Sequence, residues 1–223
     1  MNLELEALQN EERSARHTAR RIVVYAALIS TIFGLLYLLG LTGKYLVDGT
    51  IHSRSAPPVQ MVSAAIGLLW DLTLVILFAG LRWQTSRKRA VYADLALVFM
   101  ALLCATSSIN WFVQLAVVPK IAPADAALAL IDIHIESSLM YALEHLAWGI
   151  FYGLATIFMA VAIEAGKLNT WIRWLFAAGG VLSLLHVLGI LIGIHFLIDL
   201  GYFAAGVLLP LTTALLVIGF RQS

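Results

Sequence analysis

Residues 22–41, IVVYAALISTIFGLLYLLGL, run for 20 positions without a charged side chain. A helix rising 1.5 Å per residue needs about 20 apolar residues to cross the hydrocarbon core of a bilayer. This stretch therefore predicts a membrane-spanning helix. Five similar runs follow: 59–81, interrupted by Asp71; 90–118, long enough to tilt or to extend beyond the membrane; 139–163; 171–193; and 196–220, with Pro210 inside it. The last two runs are nearly fused. Gly193 is the candidate for the turn between them, because glycine tolerates positive φ. The expected fold is all-α, a polytopic integral membrane bundle of six transmembrane helices over residues 21–223. A polar segment, residues 1–20, precedes it as a short cytoplasmic helix.

Composition points the same way. The chain has 223 residues, 61% hydrophobic and 12% charged, whereas a soluble domain carries roughly 45–50% and 25%. That much apolar surface needs lipid as its solvent, so the bilayer is the first expected partner. A net charge of +1, with basic residues at segment ends rather than on one face, predicts no nucleic-acid partner. The single cysteine, Cys104, excludes a disulfide framework or a cysteine-rich metal motif within one chain. Neither a Walker A loop, nor GxGxxG opening a helix, nor HExxH, nor CxxC is present, so the sequence names no cofactor and no metal. Leu41-Thr42-Gly43-Lys44 is a poor cleavage site, and the first run is expected to be retained rather than removed as a signal.

Basic residues set the expected orientation. Arg13, Arg16, Arg20 and Arg21 precede the first run. Arg82, Arg87, Lys88 and Arg89 fill the second loop, Lys167 and Arg173 bracket the fourth, and Arg221 follows the last run. The odd loops hold only Lys44, Arg54 and Lys120. This alternation predicts both termini and the even-numbered loops in the cytoplasm. Among the outer loops, 47–58 is turn-rich. The 119–138 loop carries Pro123 and then an amphipathic run with Asp125, Asp132, His134 and Glu136, which suits either a lid or a solvated connector.

Ionisable groups inside a span cost about 2.5–3.5 kcal/mol each at the centre, tend to face the bundle interior, and often mark a functional path. This chain has Asp71, Asp94, Glu144, His145 and His186 in its runs, and His195 and Asp199 at the start of the sixth. Glu144, His186 and Asn110 lie roughly 9, 10 and 12 Å below the outer ends of their helices. Three helices thus place polar groups near one level, as the floor of an outward-facing pocket would require. Ser107, Asn110 and Gln114 share one face at i, i+3, i+7, and Glu144, Trp148 and Tyr152 share another, with Tyr141 one turn above. The candidate acid and its partner are Glu144 and His186. The candidate ligand contacts are Asn110, Gln114, Tyr141, Trp148 and Asp71.

Bland alternatives stand beside these. Asn110 and Gln114 are equally suited to act as interhelical glue. His145, about 100° around the helix from Glu144, is expected to turn toward the interface. Asp94, near the inner end, is placed to reach cytoplasmic arginines. Asp71, near the midplane, suits a proton path or a structural pair. Gly149/Gly153 and Gly189/Gly193 form GxxxG pairs that permit close helix packing, and Pro210 predicts a static kink.

The stretch Ser107-Ser108-Ile109-Asn110-Trp111-Phe112-Val113-Gln114-Leu115 resembles a segment of uncharacterised bacterial multi-spanning membrane proteins. That resemblance implies location and topology, with no activity attached. In ingredients, a carboxyl beside Tyr141, Trp148 and Tyr152 is similar to small integral membrane terpene cyclases, which protonate an alkene or epoxide without metal. Zinc-dependent membrane hydrolases of the alkaline ceramidase and adiponectin-receptor type use HxxxH pairs. Only His195-xxx-Asp199 approaches that spacing here. The functional expectation is a pocket for a small or lipophilic ligand. An isoprenoid- or lipid-modifying enzyme and a proton-coupled transporter are the alternatives. The sequence leaves the oligomeric state open.

Overall fold

The computed structural model describes residues 2–48, 57–122, 126–164 and 166–222. Loop residues 49–56 and 123–125, including Arg54, Pro123 and Asp125, lie outside them. Seven helices are present among the described residues: α1 (Asn2–Asp48), α2 (Pro57–Gln84), α3 (Ala90–Ala116), a single turn α4 (Leu128–Ile131), α5 (Leu139–Ala162), α6 (Lys167–Ile192) and α7 (195–222). No strand occurs among the described residues. Six of these helices are long and apolar enough to cross a membrane, beginning with His17–Val47 in α1. Six crossings put both chain ends on one side, called here the terminal side. α1 runs as one helix from Asn2 through residue 20 to Asp48.

Local chemistry explains the ends. Ser138 caps α5, its Oγ accepting from Tyr141 N at 3.0 Å. Gly193, at φ 72°, ends α6 in the left-handed region, and α7 begins two residues later. On the terminal side, arginines satisfy carbonyls that helix ends leave open. Arg89 Nη1 donates to the Val161 and Ile163 carbonyls at 3.0 and 2.8 Å. Arg173 Nε reaches the Ala160 carbonyl at 3.1 Å, and Arg20 Nε reaches Phe220 at 2.6 Å. Arg82 binds Asp94 through both carboxylate oxygens, the reach to a terminal-side arginine that the position of Asp94 predicts.

The helices form a ring in chain order. Each spanning helix packs on its sequence neighbour, and α7 closes onto α1. Glycines set the tightest contacts. A Cβ on Gly149 would stand 2.0 Å from Val187, and one on Gly180 would stand 2.6 Å from the Gly153 carbonyl oxygen, so α5 and α6 touch along their backbones. The GxxxG on α5 is thus used within the chain. Pro210 sits against Gly34 of α1, where a Cβ would lie 2.2 Å from the proline ring. Proline lacks an N–H and crowds the carbonyl four residues earlier. The turn before it, Ala204–Leu208, is widened into π geometry. A second π turn, Leu146–Phe151, interrupts α5.

Leu39, Ile32 and Val98 are among the apolar side chains exposed on the outside of the ring. Trp83, Trp171 and Trp174 are exposed at the terminal end, and Tyr45 and Phe196 at the other, matching the aromatic belts of the two membrane interfaces. The interior differs between its halves. The terminal half is filled by Val23, Leu77, Phe78, Ile172, Phe176 and Leu216. Phe78 and Phe176 meet edge-on at 5.8 Å across the ring. The far half carries an aromatic line, Tyr37–Trp70–Trp148–Tyr152, with centroid separations of 5.7, 5.5 and 5.5 Å.

Candidate functional site

The far-half polar groups belong to two joined clusters. The first is built on Glu144, one turn inside the capped start of α5. Asn110 Nδ2 donates to Glu144 Oε2 at 2.7 Å, and the Ser107 hydroxyl donates to the same oxygen at 3.3 Å. Trp148 Nε1 donates to Ser107 Oγ at 3.3 Å, so the indole holds the serine that holds the carboxylate. The spacing of Ser107 and Asn110 on α3, and of Glu144 and Trp148 on α5, brings these four side chains onto facing surfaces. Glu144 Oε1 makes no hydrogen bond of ordinary geometry among the described residues, and it is not one of the fully occluded polar atoms. Glu144 is deeply enclosed by protein yet only half-buried at its surface. Tyr37 and Tyr202 share that condition, and both lie within electrostatic reach of Glu144. These three side chains therefore lie near one another in the far half of the bundle.

Asp71 lies behind this cluster. It is fully buried, and neither carboxylate oxygen has a hydrogen-bond partner of ordinary geometry among the described residues. Its closest electrostatic neighbours are Glu144 and the Ser107 hydroxyl. Below it the interior turns apolar, with Leu74, Leu77, Phe78, Met100 and Leu103 all fully buried. Asp94 is held by Arg82 at the terminal end. No chain of polar side chains joins Asp71 to Asp94 among the described residues.

The second cluster corrects the expected pairing. His186 does not bond Glu144. Its Nε2 lies 2.7 Å from His145 Nδ1, and its Nδ1 lies 2.5 Å from the Ile198 carbonyl oxygen. The spacing reading turns His145 toward the interface, but the structure buries it against α6. The physical reason is local: the π turn of α5 starts at the next residue, and the close Gly149–Val187 approach draws that face of α5 onto α6. A carbonyl can only accept, so His186 Nδ1 carries a proton. In the neutral pair His145 Nδ1 then donates to His186 Nε2, leaving His145 Nε2 as an acceptor. Tyr141 packs edge-on against His145, centroids 4.0 Å apart, and Tyr202 stands 5.9 Å from His186.

Gln114 works at the mouth. Its Nε2 donates to the Ile131 carbonyl at 2.7 Å and to Asn110 Oδ1 at 3.4 Å, while its Oε1 accepts from Gln60 at 3.4 Å. It fastens the segment around α4 over the far end of the ring. Leu128 and Asp132 of that segment are buried, and Asp132 Oδ1 accepts from the His134 backbone N–H at 2.9 Å. Described residues 126–138 are thus held against the far end of the ring at Leu128, Ile131 and Asp132, while Leu130 and Glu136 are exposed.

Sequence reasoning missed Tyr37, Trp70 and Gln60. Tyr37 shares a face with Ser30 and Gly34 at i, i+4, i+7, a polar and small-residue stripe visible in the sequence. Trp70 is fixed by donating from Nε1 to Ser30 Oγ at 2.8 Å. Gln60 is a polar residue in the first turn of a span, which is a weak signal by itself.

Among the described residues no group of three or more histidines, cysteines or carboxylates is placed to hold a metal ion. Comparison with family models, with characterised proteins and with solved structures gave no match.

Proposed function

We propose that the chain is a multi-pass protein of a bacterial inner membrane, with both ends in the cytoplasm, that binds a small, partly apolar ligand among the polar and aromatic side chains of its far half. The observation that carries this reading is Glu144, a carboxylate within a membrane-spanning helix, with Oε2 fixed by Asn110 and Ser107, Trp148 beside it, and Oε1 without a hydrogen bond of ordinary geometry among the described residues. Burying a carboxylate in a membrane span is costly, and a purely structural carboxylate would be expected to use both oxygens. The segment held against the far end and the apolar plug toward the terminal side favour a closed site over a through-path. A proton-coupled transporter would need polar continuity that Leu74, Leu77 and Phe78 interrupt.

A second reading is supported by His145. Its neighbour Glu144 is a potential acid, and His186 with the Ile198 carbonyl orients its ring. Acid–base chemistry on a lipophilic substrate would use that pairing, with Glu144 donating and the aromatic wall excluding water.

Native mass spectrometry of the detergent-purified protein tests the binding reading. A discrete small-molecule adduct is expected on the wild type and is expected to be lost in Glu144→Gln at unchanged thermal stability. Retention of the adduct by a stable Glu144→Gln would reduce the carboxylate to a structural group. For orientation, a reporter active only in the periplasm, fused after Ser223, should be silent. An active fusion would reverse the topology.

A further inference from the structure

The terminal end of the ring holds a cleft that the far-half reading does not use. It has a volume of about 200 Å³ and lies between the start of the α1 span and the end of α7. Its lining is His17, Arg20, Arg21, Val24, Tyr25 and Arg221. The five α1 residues follow i, i+3, i+4, i+7, i+8 spacing, which puts them on one helical face over two turns. Arg221 enters from the last turn of α7. Arg20 Nε donates to the Phe220 carbonyl at 2.6 Å, so its guanidinium is fixed across the α1–α7 contact. The lining contains no carboxylate. Elsewhere on the terminal side arginines are occupied: Arg82 by Asp94, Arg89 by the Val161 and Ile163 carbonyls, and Arg173 by the Ala160 carbonyl. Arg21 and Arg221 are exposed and have no ion-pair or side-chain hydrogen-bond partner among the described residues. Three arginines gathered without a counter-charge repel one another, so an anion entering the cleft is stabilised.

We infer that this cleft binds the phosphate of an anionic membrane phospholipid. The phosphate would sit among Arg20, Arg21 and Arg221. A guanidinium presents paired N–H donors that match phosphate oxygens. Depth selects a lipid over free phosphate. The cleft lies where two spans reach their ends, the level of the headgroups in a bilayer. Its inward side is apolar. Val24 and Tyr25 line it, and exposed Leu28 and Ile32 continue the same face of α1 toward the bilayer centre, where an acyl chain would run. The lack of a carboxylate selects a net anionic headgroup, because no acidic side chain in the lining would meet the ammonium of a zwitterionic one. Basic pockets between spanning helices suit such headgroups. The site lies at the opposite end of the ring from Glu144 and does not depend on the far-half ligand.

The test is thermal unfolding of the full chain in nonionic detergent micelles, followed by tryptophan fluorescence. The additions are dioleoyl phosphatidylglycerol, dioleoyl phosphatidylcholine and inorganic phosphate, at constant ionic strength. Phosphatidylglycerol is expected to raise the midpoint saturably, with an apparent affinity about tenfold tighter than phosphatidylcholine, the scale set by basic side chains at a lipid surface. Arg21→Gln combined with Arg221→Gln should remove that preference. Should the pair fail to fold, Arg221→Gln alone, at an exposed helix end, is expected to lose part of it. Arg20 is left in place, because its bond to Phe220 also holds α1 to α7. Arg87→Gln combined with Lys88→Gln removes the same charge from exposed positions outside the cleft and should keep the preference. A wild type that does not prefer phosphatidylglycerol would overturn the inference, as would a preference that survives the loss of the cleft arginines. Equal stabilisation by inorganic phosphate would make this a free-anion site. Equal loss in the Arg87 and Lys88 variant would reduce the effect to general surface attraction. Either result overturns the lipid site.

Discussion

The two halves of the ring interior are built for different tasks. In the terminal half the chain closes on itself with Phe78, Phe176, Leu77 and Leu216, all fully buried, and its arginines cap helix ends. In the far half it holds Asp71, Glu144, His145 and His186, and the Asp71 carboxyl has no hydrogen-bond partner of ordinary geometry among the described residues. Lipid gives little driving force for apolar side chains to leave it, so packing and hydrogen bonding must hold the helices together. The terminal half supplies the packing. The far half spends stability on polar groups that packing alone does not need. The difference teaches where to look for function: where burial is costly and the cost is not recovered by a partner.

The sharpest way to break this comparison is to damage the half assigned to stability. Phe176→Ala removes a ring that meets Phe78 across the bundle and leaves a void among Leu77, Ile172 and Leu216. A loss of about 3–5 kcal/mol is expected, measured by reversible unfolding in mixed micelles. A loss below about 1 kcal/mol would show that this half is not the structural core, since buried Phe→Ala changes seldom cost so little.

Gly180→Ala comes next. The added Cβ would stand 2.6 Å from the Gly153 carbonyl oxygen, a backbone atom that cannot rotate away. The two helices must separate, at a cost of about 1–3 kcal/mol. The same measurement checks it. A neutral outcome would mean that α5 and α6 slide freely, and the position of His145 against His186 would then not be fixed by backbone contact.

Asp71→Asn moves the other way. The substitution keeps the shape and replaces a buried carboxyl that has no hydrogen-bond partner of ordinary geometry among the described residues. Stability is expected to rise by about 1 kcal/mol, while the affinity for the ligand falls. A stability loss of similar size would show that Asp71 is structural glue, and the contrast between the halves would weaken at its centre.

The sequence carried the spans because hydropathy over 20 residues is a collective signal that no single side chain can spoil. Gly193 was legible for the same kind of reason, since a turn between two nearly fused runs leaves few places for positive φ. Asn110 beside Glu144 was legible from depth and helical face together. His145 was not, because its direction depends on the π turn that follows it and on the close approach of α5 to α6 at Gly149. The pairing of His186 failed on the same point. Tyr37 and Trp70 were hidden because aromatic residues in an apolar run look alike whether they face lipid or the interior. Only the Ser30–Gly34–Tyr37 stripe separates them.

The smallest effect belongs to Asp94. Its carboxylate also sits in a span, four residues past the start of the apolar run at Ala90, and by sequence it resembles Asp71. Its environment differs in two respects. Arg82 binds both of its oxygens, and the pair is well exposed, at 33% and 55%. An exposed pair gains little because water and headgroups screen it and two side chains must be held still. Asp94→Asn should therefore cost no more than about 1 kcal/mol and leave ligand binding unchanged, measured by the same unfolding and adduct assays. A variant that lost the adduct would place Asp94 in communication with Glu144 across the apolar plug. That outcome would restore the through-path that Leu74, Leu77 and Phe78 now interrupt, and the two halves would have to be read as one conduit.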